Sequence, residues 1–143
     1  MNVAAILRSK GSHVYTVRPD APISEVVGVL TEKRIGAVVV SSDGRHAQGI
    51  LSERDIVRCL ASQGGKALDR KASELMTSHV TTCSPKDQLA DLMSVMTAKR
   101  IRHLPVAEDG AIAGIISIGD VVKWRVEEIE QEADALRSYV TQA

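Results

Sequence analysis

The chain has 143 residues, no formal net charge and an apolar share of 44%, a composition typical of globular proteins and not of disordered or fibrous ones. With balanced charge, one tryptophan and two tyrosines, it offers neither the basic patch nor the aromatic platform that nucleic-acid binding requires. The sequence contains no apolar run of bilayer-spanning length and no recognisable secretory signal, so we expect a cytoplasmic protein that does not bind membranes.

Residues 1–13 predict a short helix and a lead-in, because an apolar run precedes Gly11, where glycine can end a helix in the left-handed conformation. Val14–Val17 then predicts a brief strand. Residues 22–34 carry apolar side chains at helical spacing, and Ser24 is a candidate cap for the start of that helix.

Ile35–Val40 is a continuous β-branched run that predicts a strand buried on both faces. Asp43–Gly44 predicts a tight hairpin turn, because Asp-Gly readily adopts positive backbone angles. A strand at Gly49–Leu51 and a helix from about residue 53 to residue 62 complete the first unit, whose order is β-α-β-β-α.

The second half of the chain repeats the first, so that units at 14–63 and 80–125 are joined by a linker at 64–79. The shift is 66 positions and falls to 65 after the first hairpin. The matched positions include Val14–Thr16 with Val80–Thr82, Asp43–Gly44 with Asp109–Gly110, Ser52 with Ser117, and Asp55 with Asp120. Each unit alone is too small to bury its sheet, so we expect an α/β (α+β) fold in which two units pack about a pseudo-twofold axis.

A long helix is expected from Asp120 to about Tyr139, and residues 126–143 extend it beyond the repeat. Its apolar positions step alternately by four and three, and they are Val122, Val126, Ile129, Ala133, Leu136 and Val140. Such a seam fits a helix that lies along its own domain or one that packs against a partner helix. We favour the partner helix, and therefore a homodimer.

The repeated phrase, Gly49–Val57 and Gly114–Val122, places a serine three residues before an aspartate where a strand enters a helix. One interpretation is a capping box, which satisfies the first helical amides without any ligand. The other is a sugar site, because a carboxylate accepts two hydroxyl hydrogen bonds and can therefore hold a ribose.

Cationic side chains at Lys99–His103 stand on the approach to a strand and are candidates for phosphate contacts, although such a cluster also fits a solvated edge. An adenine ring fits against the apolar side chains of Ile35–Val39 and Ile101–Pro105, with hydrogen bonds from the strand backbone. No aromatic residue is required for that arrangement.

These motifs resemble a tandem pair of CBS domains (the regulatory domain of cystathionine β-synthase), called a Bateman module, and are similar to free-standing bacterial modules. The residues that carry the resemblance are Lys33–Val40, Asp43–Gly44 and Gly49–Asp55, and again Ile101–Val106, Asp109–Gly110 and Gly114–Asp120. The resemblance implies a non-catalytic energy or redox sensor that dimerises and regulates another protein. It implies AMP, ADP, ATP or NAD(H) in clefts between the repeats, with S-adenosylmethionine less favoured.

The resemblance also implies roles for individual residues. Asp55 and Asp120 would hold ribose hydroxyls, with Ser52 and Ser117 beside them. The other residues carried over are Thr16 and Thr82, or their neighbours Tyr15 and Thr81, along the clefts, Arg102 and His103 at phosphate, Arg54 next to Asp55, and Ile35, Ala37, Val38, Leu104 and Pro105 against the base. The first repeat has Gly36–Ala37 where the second has Arg102–His103, so equal phosphate affinity of the two sites is not expected.

Two other functions are consistent with the same residues: a structural homodimeric adaptor without a ligand, and a small nucleotide-processing enzyme. The enzyme is disfavoured because the sequence shows no nucleophile beside a base and its four histidines are scattered. We therefore expect no catalytic residue, no catalytic cofactor and no metal site. Cys59 and Cys83 lack metal-ligand spacing and are expected to be buried or half-buried thiols.

Overall fold

The computed structural model describes residues 1–142, so Ala143, the last residue of the predicted C-terminal extension, lies outside the described residues. The elements in chain order are α1 (Val3–Lys10), β1 (Thr16–Val17), α2 (Ile23–Lys33), β2 (Ala37–Val40), β3 (Gly49–Ser52), α3 (Glu53–Gln63), a 3-10 helix (Gly64–Asp69), α4 (Ala72–Leu75), α5 (Leu89–Lys99), β4 (His103–Glu108), β5 (Ala111–Ser117) and α6 (Ile118–Gln142). This order confirms the mixed α+β fold with a long C-terminal helix.

The first half contains a three-stranded sheet in the order β1-β2-β3, with β1 parallel and β3 antiparallel to β2. All four residues of β2 are buried, as the β-branched run predicted. Val38 and Leu51 from the sheet pack with Ile23 and Val26 of α2 and with Ile56 of α3. The first hydrophobic core therefore lies between the sheet and its helices.

The second half has a smaller sheet, in which β4 pairs antiparallel with β5. A third strand, expected at Val80–Thr82 from the repeat, is reduced to a single bridge between Cys83 and Val106. In the first half the amide of Val39 donates to the carbonyl of Tyr15 at 3.3 Å. Pro105 occupies the matching position and has no N–H, so the second sheet loses that hydrogen bond.

The two hairpins differ in length. In the second, Asp109 and Gly110 form a tight turn with φ of 52° and 79°. In the first, the loop spans residues 41–48, so the prediction of a tight turn at Asp43–Gly44 is wrong. The carboxylate of Asp43 accepts hydrogen bonds from the following amides, and the carbonyl of Arg45 accepts from Ile112 of the other half at 2.7 Å.

Helix α1 packs on the second half of the chain, whereas α4 packs on the first. Val3 and Ile6 of α1 are fully buried in the second core, and Ala72 of α4 is fully buried in the first. The amide of Val3 donates to the carbonyl of Asp87, as the amide of Ala72 donates to that of Ala21. Residues 64–79, expected as a linker, thus include a 3-10 helix and a helix that closes the first core.

The predicted helix boundaries need two corrections. Ser24 lies inside α2, whose N-cap is Pro22 and carries no side-chain hydrogen bond, so the cap predicted at Ser24 is wrong. Helix α6 begins at Ile118, two residues before the predicted start at Asp120. Both α2 and α5 end at an arginine in the left-handed conformation, at Arg34 and Arg100.

The glycine of the repeated phrase lies where a flanking helix crosses the sheet. A Cβ atom on Gly114 would stand 2.7 Å from Leu7 Cδ2 of α1, and one on Gly49 would stand 2.7 Å from Cγ of Met76, the residue that ends α4. Two carbon atoms that are not bonded to each other do not approach this closely. The repeated glycine therefore provides the space that the α1 and α4 segments need to close the two cores.

Gly114→Ala should lower the free energy of unfolding by about 1–3 kcal/mol, because the new methyl group overlaps Leu7. The matched control is Gly28→Ala in α2, where nothing lies within 4 Å of the new methyl group and alanine should add about 0.5–1 kcal/mol of helix stability. Urea unfolding midpoints measure both effects. Equal midpoints for Gly114→Ala and wild type would show that Leu7 repacks without cost.

Candidate functional site

A cleft of about 580 Å³ lies between the two halves, where α3 begins. Its first-half lining is Gly36, Ile50, Ser52, Glu53, Arg54, Asp55 and Arg58, and its second-half lining is Thr77, His79, Thr81, Lys99, Arg100, Ile101, Arg102 and His103. Two matching backbone hydrogen bonds fix the helix starts beside the strands: Glu53 N donates to Gly36 O at 3.0 Å, and Ile118 N donates to Arg102 O at 2.8 Å.

Asp55 closes a complete capping box with Ser52. Its Oδ2 atom accepts from the Ser52 amide at 2.9 Å and from the Ser52 hydroxyl at 3.0 Å, and the Ser52 hydroxyl accepts from the Asp55 amide at 3.4 Å. The structure therefore confirms the capping box at this helix start. Asp55 Oδ1 has no hydrogen-bond partner within residues 1–142, so one acceptor atom of this cleft-lining carboxylate stays available.

Positive charge dominates the cleft. Five arginine and lysine side chains line it against two carboxylates. Lys99 reaches across to Thr81, with its ammonium 3.3 Å from the hydroxyl oxygen. An excess of guanidinium and ammonium groups near a hydrogen-bond acceptor suits a ligand that has hydroxyl groups at one end and an anion at the other.

His103 is half-buried next to Gly36 and Glu53. A Cβ atom on Gly36 would stand 3.3 Å from His103 Nε2 and 3.0 Å from Glu53 Oε1, so the glycine leaves room for both side chains. Burial lowers the pKa of His103 below its usual 6.5; Lys10 and Arg102 act in the same direction, and Glu53 and Asp120 oppose them. The imidazole therefore resists protonation near neutral pH.

Asp120 forms the same box with Ser117 but is also paired with a cation. Its Oδ2 atom accepts from the Ser117 amide at 2.9 Å, from the Ser117 hydroxyl at 3.0 Å and from Lys10 Nζ at 2.6 Å. Burial raises the pKa of Asp120, but the hydrogen bonds from Lys10 and Ser117 outweigh it and lower the pKa overall. The carboxylate is ionised and neutralised by Lys10.

The structure brings six of the predicted site residues together in the cleft: Ser52, Arg54, Asp55, Thr81, Arg102 and His103. Val38 and Leu104 instead lie in the two hydrophobic cores. Strand neighbours point to opposite faces, so Leu104 must face the core when His103 faces the cleft. Ala37 and Pro105 are likewise buried in their strands.

The remaining predicted residues lie outside this cleft. Tyr15 packs edge-on against His13 and under the Lys33 ammonium. Thr16 belongs to β1, and Thr82 is exposed. Ile35 lines a groove between α2 and α3, while Ser117 and Asp120 form the second box.

Sequence reasoning missed Arg58, His79 and Lys10. Arg58 lies one helical turn after Arg54, so the spacing of four could have placed both on the cleft side of α3. His79 stands two residues before Thr81 on the same extended approach. Nothing in the sequence indicated a role for Lys10, because its partner Asp120 is 110 positions away.

Both cysteines are buried or half-buried thiols, as expected. Cys83 is buried, which raises its pKa to about 12, with Asp87 acting in the same direction, and Cys59 is partly buried. Within residues 1–142, no three histidine, cysteine or acidic side chains come close enough together to hold a metal ion. None of the helices described has the length and apolar character needed to cross a membrane.

Comparisons with known proteins agree with the repeat. A family model described as CBS domain matches residues 3–62 and 72–127. The mitochondrial CBS domain-containing protein CBSX3 of Arabidopsis thaliana is 32% identical over 146 aligned residues, which cover 96% of this chain and 71% of that protein.

Two solved structures show the same architecture. The CBS-domain containing protein ATU1752 of Agrobacterium tumefaciens has a TM-score of 0.84 at 47% identity, with 87% of this chain and 99% of that chain covered. The CBS domain protein PAE2072 of Pyrobaculum aerophilum, solved in complex with AMP, has a TM-score of 0.75 at 27% identity, with coverages of 84% and 89%.

The depressed pKa of His103 predicts that the protein loses stability as the pH falls. Unfolded His103 binds a proton near pH 6.5, whereas the folded side chain resists it, so the free energy of unfolding should decrease from about pH 7.5 to about pH 5. His103→Gln should flatten this dependence in urea titrations. The control His79→Gln, an exposed histidine of the same cleft, should keep the wild-type slope, and an unchanged slope in His103→Gln would contradict the assignment.

Proposed function

The chain belongs to the CBS-domain family, and from that premise we propose that it is a non-catalytic regulatory module that binds an adenine ribonucleotide between its two halves. The AMP complex of PAE2072 supports this ligand class. In this proposal the module acts in the cytoplasm and reports the level of the nucleotide to a regulated protein.

One observation carries the proposal: the same cleft contains the free Oδ1 atom of Asp55 and five cationic side chains. We place the ribose hydroxyls on Asp55 Oδ1 and the phosphate on Arg102 and His103, which the second half contributes to the cleft. The base then lies against Ile50 and Ile101, the apolar members of the lining. Ile101 belongs to the run already expected against the base, whereas Ile50 takes the role that the sequence assigned to Ile35, Ala37, Val38, Leu104 and Pro105.

The charge of the cleft favours ligands that carry phosphate. Five cationic side chains against two carboxylates attract AMP, ADP, ATP or NAD(H). The same charge disfavours S-adenosylmethionine, whose sulfonium group is itself a cation. Phosphate beside His103 would also raise the pKa of this histidine, so we expect nucleotide binding to strengthen as the pH falls.

We also propose that the module works as a homodimer. The apolar seam of α6 is unpaired within the described chain: the side chains of Val126, Ile129, Leu136 and Val140 are between 48% and 64% exposed. A heptad-spaced stripe of this kind is buried when two such helices pack together. The seam also supports a structural adaptor, which would dimerise without a nucleotide.

Asp55→Ala should weaken binding of AMP, ATP or NADH by about ten- to hundred-fold, because it removes charge-assisted hydrogen bonds to the ribose. Isothermal titration calorimetry measures this change. Ser52→Ala is the matched control: it also breaks the capping box, at a cost of about 1 kcal/mol in stability, but it keeps the carboxylate and should lose much less affinity than Asp55→Ala. Equal losses of affinity in both variants would show that Asp55 acts only as a helix cap. If the wild type bound none of the three nucleotides, the proposal would be refuted.

Leu136→Glu should convert the dimer into a monomer, because it places a charge in the middle of the seam. Sedimentation velocity of the full chain distinguishes the two masses. Glu130→Gln, which changes a polar side chain outside the seam, should leave the dimer intact. A wild-type chain that sediments as a monomer at micromolar concentration would contradict the homodimer.

A further inference from the structure

The two halves place matching aspartates at matching helix starts, but only one aspartate has a cation next to it. Asp55 has no lysine, arginine or histidine within salt-bridge distance among the described residues, whereas Lys10 Nζ lies 2.6 Å from Asp120 Oδ2. The side chains of Lys10 and Asp120 are only 30% and 19% exposed. Water therefore screens this ion pair weakly.

Lys10 also replaces a backbone contact of the first half. There, the carbonyl of Ile50 accepts from the amide of Thr77 at 2.9 Å. At the matching position in the second half, the carbonyl of Ile115 accepts from Lys10 Nζ at 2.9 Å. The ammonium group is therefore held at two points, by a main-chain oxygen and by the carboxylate.

The different lengths of α1 and α4 explain why only the second half has this contact. Both helices begin at the same register on their cores, but α4 has four residues and α1 has eight. The additional turn of α1 carries Lys10 to Asp120. Val3 and Ile6 are fully buried, so α1 is anchored and only the Lys10 side chain can withdraw.

The Asp120 box also lacks the nearby cations of the Asp55 box. Gly119 stands where the first half has Arg54, and Gly36–Ala37 stands where the second half supplies Arg102–His103. A ribose at Asp120 Oδ1 would therefore meet a carboxylate whose charge Lys10 already neutralises at Oδ2, and the phosphate would meet fewer cations.

We infer that Lys10 prevents nucleotide binding at the second box by neutralising its carboxylate, so that each chain binds one adenine ribonucleotide tightly at Asp55 and none at Asp120. This inference rests on the proposed function, because it concerns the second copy of the same site. It makes Lys10 the residue that sets the stoichiometry of the module. Neutralising Lys10 should create a second site.

Calorimetric titration of the full chain with AMP and with ATP tests the inference. The wild type should bind one equivalent per chain, and Asp55→Ala should lose it while Asp120→Ala keeps it. Lys10→Met should gain a second equivalent, with the affinity at Asp120 raised by about ten-fold or more because the carboxylate is no longer neutralised. The double variant Lys10→Met/Asp120→Ala should return to one equivalent.

Two controls separate the effect of the contact from that of charge. Lys10→Arg keeps the cation and should remain at one equivalent, and Lys86→Met removes an exposed positive charge elsewhere and should do the same. Should Lys10→Met fail to fold, Lys10→Gln, which removes the charge but keeps a polar side chain, is titrated in its place and should also gain the second equivalent.

Each other result overturns a specific claim. Two equal equivalents in the wild type, or one that depends on Asp120, would overturn the role of Lys10 and leave nucleotide binding standing. One equivalent in a folded Lys10→Met chain would do the same. No binding by the wild type or by Lys10→Met would overturn the proposed function, and the inference with it.

Discussion

The architecture depends on a reciprocal exchange of helices between the two halves. Helix α1 precedes the first half but closes the hydrophobic core of the second, and α4 precedes the second half but closes the core of the first. Each half alone is too small to bury its sheet, so each needs the helix that the other supplies. The close approaches at Gly49 and Gly114 are the local condition for this exchange. The cleft exists because the two halves are held side by side in this way.

The Ser-x-x-Asp turn satisfies a structural demand and leaves a chemical group for use. Asp55 Oδ2 is consumed by the cap, so the carboxylate is held in one orientation before any ligand arrives. An acceptor fixed by the start of a helix loses little conformational entropy on binding. The capping and sugar-binding interpretations of the sequence are therefore compatible, because they concern different oxygen atoms of one side chain.

The sequence predicted the elements well wherever the signal was local or duplicated. A short stretch of sequence was enough to predict three features. These are the run Ile35–Val40, the phrase that contains Ser52 and Asp55, and the long C-terminal helix. Predictions failed where distant residues decide the outcome. The loop that follows β2 reaches across to Ile112 instead of turning tightly. Lys10 meets Asp120 only because the chain folds back over 110 positions.

The unbroken course of α6 has a mechanical consequence. The helix starts at the turn that contains Asp120 and continues for 25 residues, which is about 37 Å at 1.5 Å per residue. A tilt of about 5° at its first turn would displace its far end by about 3 Å over that length. The Lys10–Asp120 ion pair lies at the pivot of this lever, and the exposed seam lies along its arm. A small tilt at the box would therefore become a displacement of several ångströms at the far end of α6.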